Sequence, residues 1–276
     1  MAMRTNSGDM PEMTASQIAA AAARGAGVLL PVGVIEAHGP HLPTGTDAFI
    51  AHKLCDLVRR YAGEGGREYL IAPTYYWGIN GILGEFTGSF NVRPATAKAL
   101  MMDVLDSLDA AGFQEVLLVS HHGDRAHNDM IVEVLKLMHE RGRKGVRWLY
   151  APVRWKMIER LGLTGREEYL VPWSYDPSLE RFRVTGVLGV HADEYETAAI
   201  VRYFPETVDY DALAKVEPTK LGPADLAEWR TGTEAARRLT PDSYFGAPRP
   251  VDPDLWRHYD ETARIMAAAL VSEHRV

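Results

Sequence analysis

Three residues of the types that bind metal ions lie close together near the start of the chain. Glu36 and His38 are two residues apart, and Asp47 lies eleven residues after Glu36. In an extended segment, residues i and i+2 point to the same side, and carboxylate oxygens and imidazole nitrogens bind zinc or manganese at about 2.0–2.2 Å. The glycines and prolines before Asp47 favour turns, which can bring Asp47 back to Glu36 and His38. The segment therefore predicts a metal site. The alternative is a loop in which His38 binds a carbonyl group and Asp47 caps the next helix.

A second polar cluster repeats the two-residue spacing. His122 and Asp124 are separated by one glycine, and His121 and Arg125 flank them. We expect His121 or His122 to bind metal and Asp124 to add a carboxylate ligand. The alternative for Asp124 is that it caps a helix predicted over 127–141, and His121 could instead be buried with its hydrogen bonds satisfied.

A third cluster contains His191, Asp193, Glu194 and Glu196. Asp193 and Glu194 begin a predicted helix, where acidic residues also occur because they interact favourably with the helix dipole. Glu196 lies five residues after His191, so a bent approach to the helix would bring both side chains to one site. By itself this spacing indicates little.

Alternating strands and helices must position these clusters. Predicted strands cover 27–32, 68–73, 115–120 and 146–153, and predicted helices cover 15–24, 48–61, 94–111, 127–141 and the residues after His191 up to about 203. Apolar strands that alternate with helices are typical of an α/β fold with a mostly parallel sheet covered on both faces. The first two clusters directly follow strands, and open α/β sheets bind ligands at the carboxyl ends of their strands. Residues 204–253, rich in proline and charge, are expected to form a cap, an oligomer arm or a subunit-contact excursion.

Bulk properties are those of an ordinary enzyme of 276 residues. The net charge of −7 provides no general attraction to nucleic acid. A membrane-spanning helix needs about 18 consecutive apolar residues, and the sequence contains no such stretch. The first residues are polar, without the apolar core of a signal peptide. Cys55 is the only cysteine, which excludes an internal disulfide and suits a reducing compartment. We therefore expect a cytoplasmic protein that binds neither nucleic acid nor membranes.

The three clusters together resemble the creatininase (creatinine amidohydrolase) family. The resemblance lies in LPVGVIEAHGPHLPTGTD over 30–47, SHHGD over 120–124 and GVHADEYETA over 189–198. The first is similar nearly throughout to the family signature LPxGxxEQHGPHLPxxTD. The third is similar to GHAGExETS, and the second is a degenerate match to NGHGGN. The order and spacing also agree, so the resemblance covers about residues 15–205.

The resemblance implies a three-layer α/β/α sandwich with a mostly parallel central sheet. It is expected to form one domain over 1–276, with a core of about 15–205 and a C-terminal excursion and helix over 206–276. It also implies a homo-oligomer, often a hexamer, and two divalent metal ions, zinc or manganese with iron as another possibility. Residues that match family metal ligands or the conserved acid near the metals are Glu36, His38, Asp47 (bridging), His122 and Glu196, and Asp124 stands where creatininases have a glutamate ligand.

The function implied is hydrolysis of an amide C–N bond in a small molecule, a cyclic amide or a formamide type, by a metal-bridging hydroxide. His191 matches a histidine used in catalysis and is the expected proton donor to the leaving nitrogen, with Glu194 and Glu196 as alternatives. Two other functions remain open: hydrolysis of a peptide bond in a small modified peptide, and a non-catalytic metal-binding pseudoenzyme.

Departures from the family pattern bear on the substrate. Val187 and Leu188 fall where creatininases have a tryptophan and an aspartate that hold creatinine, so creatinine is a poor candidate substrate. Trp77 and Trp173 are candidates for pocket walls, or they are structural aromatics. Arg125 is a candidate anchor for a substrate carboxylate, or it pairs with a surface acid.

Overall fold

Five parallel strands form the centre of the molecule. The computed structural model describes residues 8–150, 155–173 and 176–273. The strands are β1 (Gly27–Val32), β2 (Tyr69–Ile71), β3 (Val116–Ser120), β4 (Val146–Tyr150) and β5 (Leu170–Pro172). They are hydrogen-bonded in the order β2-β1-β3-β4-β5, and every pair is parallel. All residues of β1 are buried, as expected for a parallel strand covered on both faces.

Ten α-helices accompany the sheet in the part of the chain that the structure describes. They are α1 (Ala15–Ala23), α2 (Thr46–Glu64), α3 (Pro94–Ala110), α4 (Arg125–Glu140), α5 (Trp155–Arg160), α6 (Glu194–Tyr203), α7 (Tyr210–Leu213), α8 (Pro223–Trp229), α9 (Thr233–Leu239) and α10 (Arg257–Glu273). None of them is long and apolar enough to cross a membrane.

The side chains of β1 divide between the two faces of the sheet. Val28 and Leu30 belong to an apolar core with residues of α3 and α4. Leu29 points the other way, into a core with residues of α2 and α10. This alternation follows from the two-residue period of a strand. The predicted three-layer α/β/α sandwich is therefore confirmed.

The predicted element boundaries are close to the observed ones. Thr14 caps α1 in a capping box with Gln17, as its position before the alanine-rich segment predicts. Helix α4 begins at Arg125 rather than His127, because Asp124 caps it. The irregular segment 204–253 contains three short helices, α7, α8 and α9. The predicted continuation of β4 as far as Val153 lies outside the described residues.

The strand order also defines where a ligand would bind. The chain passes from β1 outward to β2 on one side and then to β3 on the other side of β1. In open α/β sheets of this order, the connections leave β1 and β3 on opposite faces and open a crevice at their carboxyl ends. The first polar cluster follows β1, and the second follows β3.

Gly33 allows α2 to approach the end of β1. A Cβ atom at Gly33 would lie 2.6 Å from the backbone nitrogen of Ala48, so Gly33→Ala would push away the first turn of α2, which carries Asp47. We expect this substitution to lower the free energy of unfolding by about 1–3 kcal/mol, measured by urea denaturation. Gly63→Ala, in the last turn of the same helix with no atom within 4 Å of the added methyl group, is the control and should be neutral or stabilising. Equal destabilisation by both substitutions would contradict this account.

Candidate metal centre

Six acidic and histidine side chains meet at the carboxyl ends of β1 and β3. They form three overlapping groups in which the potential ligand atoms lie within 4.8 Å of one another. The groups are Glu36/Asp47/His122, His38/Asp47/Glu196 and Glu36/His38/His191. All six come from the three segments that the sequence singled out, and Asp47 belongs to two groups.

The loop after β1 is folded so that its two ligand-type residues face inward. The amide of Glu36 donates to the carbonyl of Thr44 at 2.9 Å, which closes the loop. His38 and Leu42 form an antiparallel bridge across it. Asp47 then lies in the first turn of α2, where the helix dipole favours a carboxylate.

His38 is held with one ring nitrogen directed at carboxylates. Its Nδ1 lies 2.9 Å from the carbonyl oxygen of Glu36, which leaves Nε2 as the ring nitrogen that faces the cluster. Nε2 is buried without a hydrogen-bond partner, 3.5 Å from Asp47 Oδ1 and 3.8 Å from Glu196 Oε2. Burial lowers the pKa of His38, but the surrounding carboxylates outweigh burial and raise that pKa to about 9.

His122 has the same arrangement with its nitrogens exchanged. Its Nε2 lies 3.1 Å from the carbonyl oxygen of Ile79. Its Nδ1 lies 2.8 Å from Asp47 Oδ2 and 3.4 Å from Glu36 Oε1. Burial lowers the pKa of His122, yet Glu36 and Asp47 raise it well above its usual value. A histidine whose second nitrogen donates to a carbonyl is typical of metal ligands, because that bond fixes the ring and its tautomer.

Asp47 joins the two groups. Its Oδ1 faces His38 and its Oδ2 faces His122. Burial raises the pKa of Asp47, but the neighbouring imidazoles of His122 and His38 hold it well below its usual range. A carboxylate with one oxygen in each of two ligand groups suits a residue shared by two cations.

These residues fit a pair of divalent cations. Glu36, Asp47 and Glu196 bring three carboxylates to this cluster, and carboxylates removed from water require compensating positive charge. The unpartnered Nε2 of His38 lies among them. Glu36, Asp47 and His122 could hold one ion, and His38, Asp47 and Glu196 could hold the other. Carboxylate and imidazole ligands suit zinc and manganese.

Glu196 reaches the cluster from the first turn of α6. Its Oε2 accepts a hydrogen bond from the amide of Ala192 at 2.6 Å, and its Oε1 lies 3.4 Å from His121 Nε2. Burial raises the pKa of Glu196, but His121 and His38 lower it below the usual value. Ala192 has φ of 47°, a left-handed conformation that costs energy for a residue with a Cβ atom. The strained turn thus aims both Glu196 and the preceding His191 at the cluster.

His191 lies beside the two groups rather than between them. Its Nε2 is 2.8 Å from the carbonyl oxygen of Ala37, and its Nδ1 is 3.7 Å from Glu36 Oε1. Its ring packs against His38 with the centroids 4.2 Å apart. Burial, followed by the positive charge of His38, lowers the pKa of His191. A neutral imidazole that donates through Nε2 presents an accepting Nδ1 to the cluster.

Two predicted site residues are engaged elsewhere. Asp124 Oδ1 accepts from the amide of His127 at 3.0 Å, and its Oδ2 accepts from the amide of Gly81 at 3.0 Å. Glu194 accepts three hydrogen bonds from the amide and hydroxyl of Thr185, at 2.6–3.1 Å. The capping alternative for Asp124 describes this geometry, so we remove Asp124 from the candidate ligands. Glu194 holds the loop before His191 in place, so we remove it from the candidate proton donors.

The remaining predicted residues lie in three different environments. Arg125 is exposed at the first position of α4. Trp77 is 46% exposed and packs edge-on against Phe90 with the ring centroids 5.7 Å apart. Trp173 is buried in the apolar core that contains α2 and α10. We therefore interpret Trp173 as a core residue and remove it from the candidate substrate contacts.

Several residues at the site were not singled out from the sequence. His41 is buried, with Nε2 3.1 Å from the hydroxyl of Thr197, and burial together with the charge of His38 lowers its pKa to about 4. Trp229 of α8 lies 6.1 Å from the His191 ring, and Phe245 pairs with the His191 backbone. His41 belongs to the signature HGPH and could have been found there. The other two come from the irregular C-terminal segment, where no local pattern marks them.

The geometry predicts different effects for two acidic residues near the cluster. Glu196→Gln should lower the metal content by one ion per chain, because Glu196 belongs to the group His38/Asp47/Glu196 and to neither of the other two groups. Asp124→Asn should leave the metal content unchanged and lower the free energy of unfolding by less than about 1 kcal/mol, because asparagine caps a helix about as well as aspartate. Metal analysis by mass spectrometry and thermal denaturation measure the two effects. Loss of metal in Asp124→Asn would return Asp124 to the ligands.

Comparison with known proteins assigns this architecture to a family. A family model described as creatininase, creatinine amidohydrolase, matches residues 11–270. The creatinine amidohydrolase of Pseudomonas putida is 24% identical over 231 residues, covering 78% of this chain and 79% of that protein. The mycofactocin precursor peptide peptidase of Mycolicibacterium smegmatis is 28% identical over 117 residues, covering 42% of this chain but only 46% of the peptidase. A solved structure of a manganese creatininase superposes with a TM-score of 0.65 at 20% identity, covering 97% of both chains, which establishes the fold.

Proposed function

The chain belongs to the creatininase family, and from that premise we propose that it is a metal-dependent amidohydrolase. It cleaves the C–N bond of a small amide, either a cyclic amide or a formamide-type compound. The observation that carries this proposal is the sharing of Asp47 between two groups of three potential ligands, all buried except the partly exposed Glu196. That arrangement lies in the crevice where this sheet order places a ligand site.

The metal ligands proposed are Glu36, His38, Asp47, His122 and Glu196, with Asp47 common to both ions. Two divalent cations fit this set, and manganese or zinc is proposed because solved creatininases are named in manganese and zinc forms. When bound, such cations supply an acidified water and a polarised substrate carbonyl. Ile79 and Glu36 support the site by accepting hydrogen bonds from the outer nitrogens of His122 and His38 through their carbonyl oxygens.

His191 moves the proton in this proposal. Its Nδ1 takes a proton from the attacking water as the new C–O bond forms. The same atom then delivers the proton to the leaving nitrogen as the C–N bond breaks, so the products are a carboxylate and an amine. An amide nitrogen leaves poorly without a proton, which makes a nearby imidazole valuable. The hydrogen bond to Ala37 and the ring contact with His38 hold the imidazole in place for both transfers.

A second candidate substrate class is a peptide bond in a small modified peptide. It is favoured by the similarity to the mycofactocin precursor peptide peptidase. Attack on a peptide bond needs the same ligands and the same proton transfer, so the two candidates differ only in the substrate pocket. A non-catalytic metal-binding role is less well supported, because all six side chains of the cluster are brought together.

We further propose that the protein is a cytoplasmic homohexamer. The family resemblance supports a hexamer, and the buried, unpaired Cys55 suits a reducing compartment. Light scattering should give about six times the mass of one chain, and a monomer would contradict the assembly.

One experiment tests the proposed activity. Manganese-loaded or zinc-loaded protein is screened against cyclic amides (creatinine included), formamides and small peptides, and the products are identified by mass spectrometry. We expect one class to be hydrolysed, with ¹⁸O from solvent entering the carboxylate in a single turnover and no acyl-enzyme. Hydrolysis of no member of the screen, or undiminished hydrolysis by metal-free protein, would refute the proposal.

A further inference from the structure

Two arginines near the candidate metal centre lack an acidic partner. In the part of the chain that the structure describes, neither Arg125 nor Arg230 forms an ion pair, and burial followed by the charge of Arg125 lowers the pKa of Arg230. By contrast, Arg67 and Arg147 both contact Glu115, at 2.6 and 2.7 Å. Two neighbouring guanidinium groups without a counter-charge repel each other. Both side chains are exposed, so the pair is open to an anion from solution.

Hydrogen bonds to one glycine explain why the two arginines are neighbours. Asp124, which precedes Arg125, accepts from the amide of Gly81 at 3.0 Å. Thr233, three residues after Arg230, donates through its hydroxyl to the carbonyl of Gly81 at 3.4 Å. The start of α4 and the turn between α8 and α9 are thus tied to the same point.

The α8–α9 hairpin, residues 223–239, is firmly seated beside the metal centre. Arg237 donates to the carbonyl of Glu85 at 2.8 Å. Trp229 packs with Leu83 and Phe245 in a small apolar core. Its ring also lies 6.1 Å from that of His191, and Arg230 is the next residue. The hairpin therefore places Arg230 one residue after a side chain that packs against the residue proposed to move the proton.

The other arginine, Arg125, is close to a proposed ligand along the chain. Arg125 comes three residues after His122, a proposed ligand, and is exposed at the first position of α4. One guanidinium thus approaches from the β3 side and the other from the hairpin side. Guanidinium groups bind carboxylate and phosphate-type oxygens in pairs of parallel hydrogen bonds, and two of them can hold one oxyanion from both sides.

We propose that Arg125 and Arg230 form a subsite for an anionic group of the substrate. This inference rests on the proposed function and narrows it, because the substrate becomes an amide that also carries a carboxylate or a phosphate-type group. The amide would lie at the metal centre and the anion at the arginine pair, with Trp229 between them. Such a subsite would favour an anionic amide over a neutral cyclic amide such as creatinine.

Three probes of nearly equal size separate the possibilities. They are N-formylglycine, its neutral amide N-formylglycinamide, and N-formylaminomethylphosphonate. For each probe we would measure kcat/KM for formate release and, separately, binding to metal-loaded protein by calorimetry. We expect N-formylglycine or the phosphonate to be preferred over the neutral amide by about tenfold or more, the scale of one lost charge-assisted hydrogen bond. The better of the two anions identifies the oxyanion type, and the preference should weaken with added salt.

Substitutions assign that preference to the two residues. Arg125→Gln and Arg230→Gln should each reduce the ratio of anionic to neutral probe by about tenfold, mainly through KM. Arg166→Gln is the control, because Arg166 is also exposed but precedes β5, at the amino ends of the strands. It should leave the ratio unchanged.

The outcomes distinguish failure of this inference from failure of the proposed function. Hydrolysis with equal preference for charged and neutral probes, or an unchanged ratio in both arginine variants, would overturn the subsite and leave the amidohydrolase intact. If no probe is hydrolysed, calorimetry still decides. Tighter binding of an anionic probe that Arg125→Gln and Arg230→Gln abolish supports the subsite, and binding that both variants leave unchanged overturns it.

Discussion

Asp47→Asn is expected to remove both metal ions and nearly all activity. The substitution keeps the shape of the side chain but removes the negative charge of the carboxylate. That carboxylate faces His38 with Oδ1 and His122 with Oδ2. Removing a partner that merely orients a ligand typically costs about 10- to 100-fold in metal affinity or activity. Removing a ligand common to two ions should cost more metal affinity and activity than that, and we expect kcat to fall by more than about 10³-fold. Metal analysis after gel filtration and kinetics with the substrate found in the screen measure both effects.

Glu36→Gln provides a matched comparison, because Glu36 is absent from the group with Glu196. It should lower the content of one ion while retaining most of the other. If Asp47→Asn lost only one ion, Asp47 would not be shared and the two-ion proposal would need revision. Circular dichroism should show both variants folded, since neither substitution changes the volume of the buried side chain.

His191→Ala is expected to reduce kcat by about 10²–10⁴-fold, the usual contribution of a general acid–base group, while the protein keeps both metal ions. The reason is that the two ligand groups joined by Asp47 are complete without His191. His191 also belongs to a third group with Glu36 and His38, so metal content is the deciding measurement. Loss of an ion in His191→Ala would make this residue a ligand rather than a proton carrier.

His139→Ala is a suitable control for removing a buried histidine. His139 lies in α4 with Nε2 3.0 Å from the carbonyl oxygen of Val146, at the start of β4 and therefore at the opposite end of the sheet from the cluster. This substitution should lower stability and leave kcat nearly unchanged. A comparable loss of kcat in both variants would indicate a general structural effect.

Local patterns were sufficient to predict the sandwich and most of the cluster. Apolar segments of strand length predicted β1 and β3, and the rule that ligands lie at the carboxyl ends of parallel strands brought the segments of Glu36 and His122 together. The structure adds that β1 and β3 are direct neighbours. Short-range spacing cannot specify that adjacency, but repeated strand–helix units restrict it strongly.

Asp124 and Glu194 show where local patterns are insufficient. The carboxylate of an aspartate at a strand-to-helix junction can either bind a metal ion or cap the helix. The outcome depends on Gly81, which is 43 residues away and donates the second hydrogen bond to Asp124. Glu194 likewise depends on Thr185, nine residues before it. Trp229 and Arg230 could not be predicted because only tertiary packing places their hairpin beside His191.

The long separations within the site also bear on how the protein is made. The contact between Asp47 and His122 spans 75 residues, that between Ala37 and His191 spans 154, and that between Gly39 and Ser243 spans 204. Contacts between distant residues form late, because the intervening chain must first be ordered. On the ribosome, where the chain emerges from its N-terminus, the six side chains of the cluster can meet only after Glu196 has been synthesised, and the contact of Gly39 with Ser243 forms later still. A nascent or truncated chain would therefore bear the signature segments without the means to hydrolyse an amide, and activity would mark the finished polypeptide.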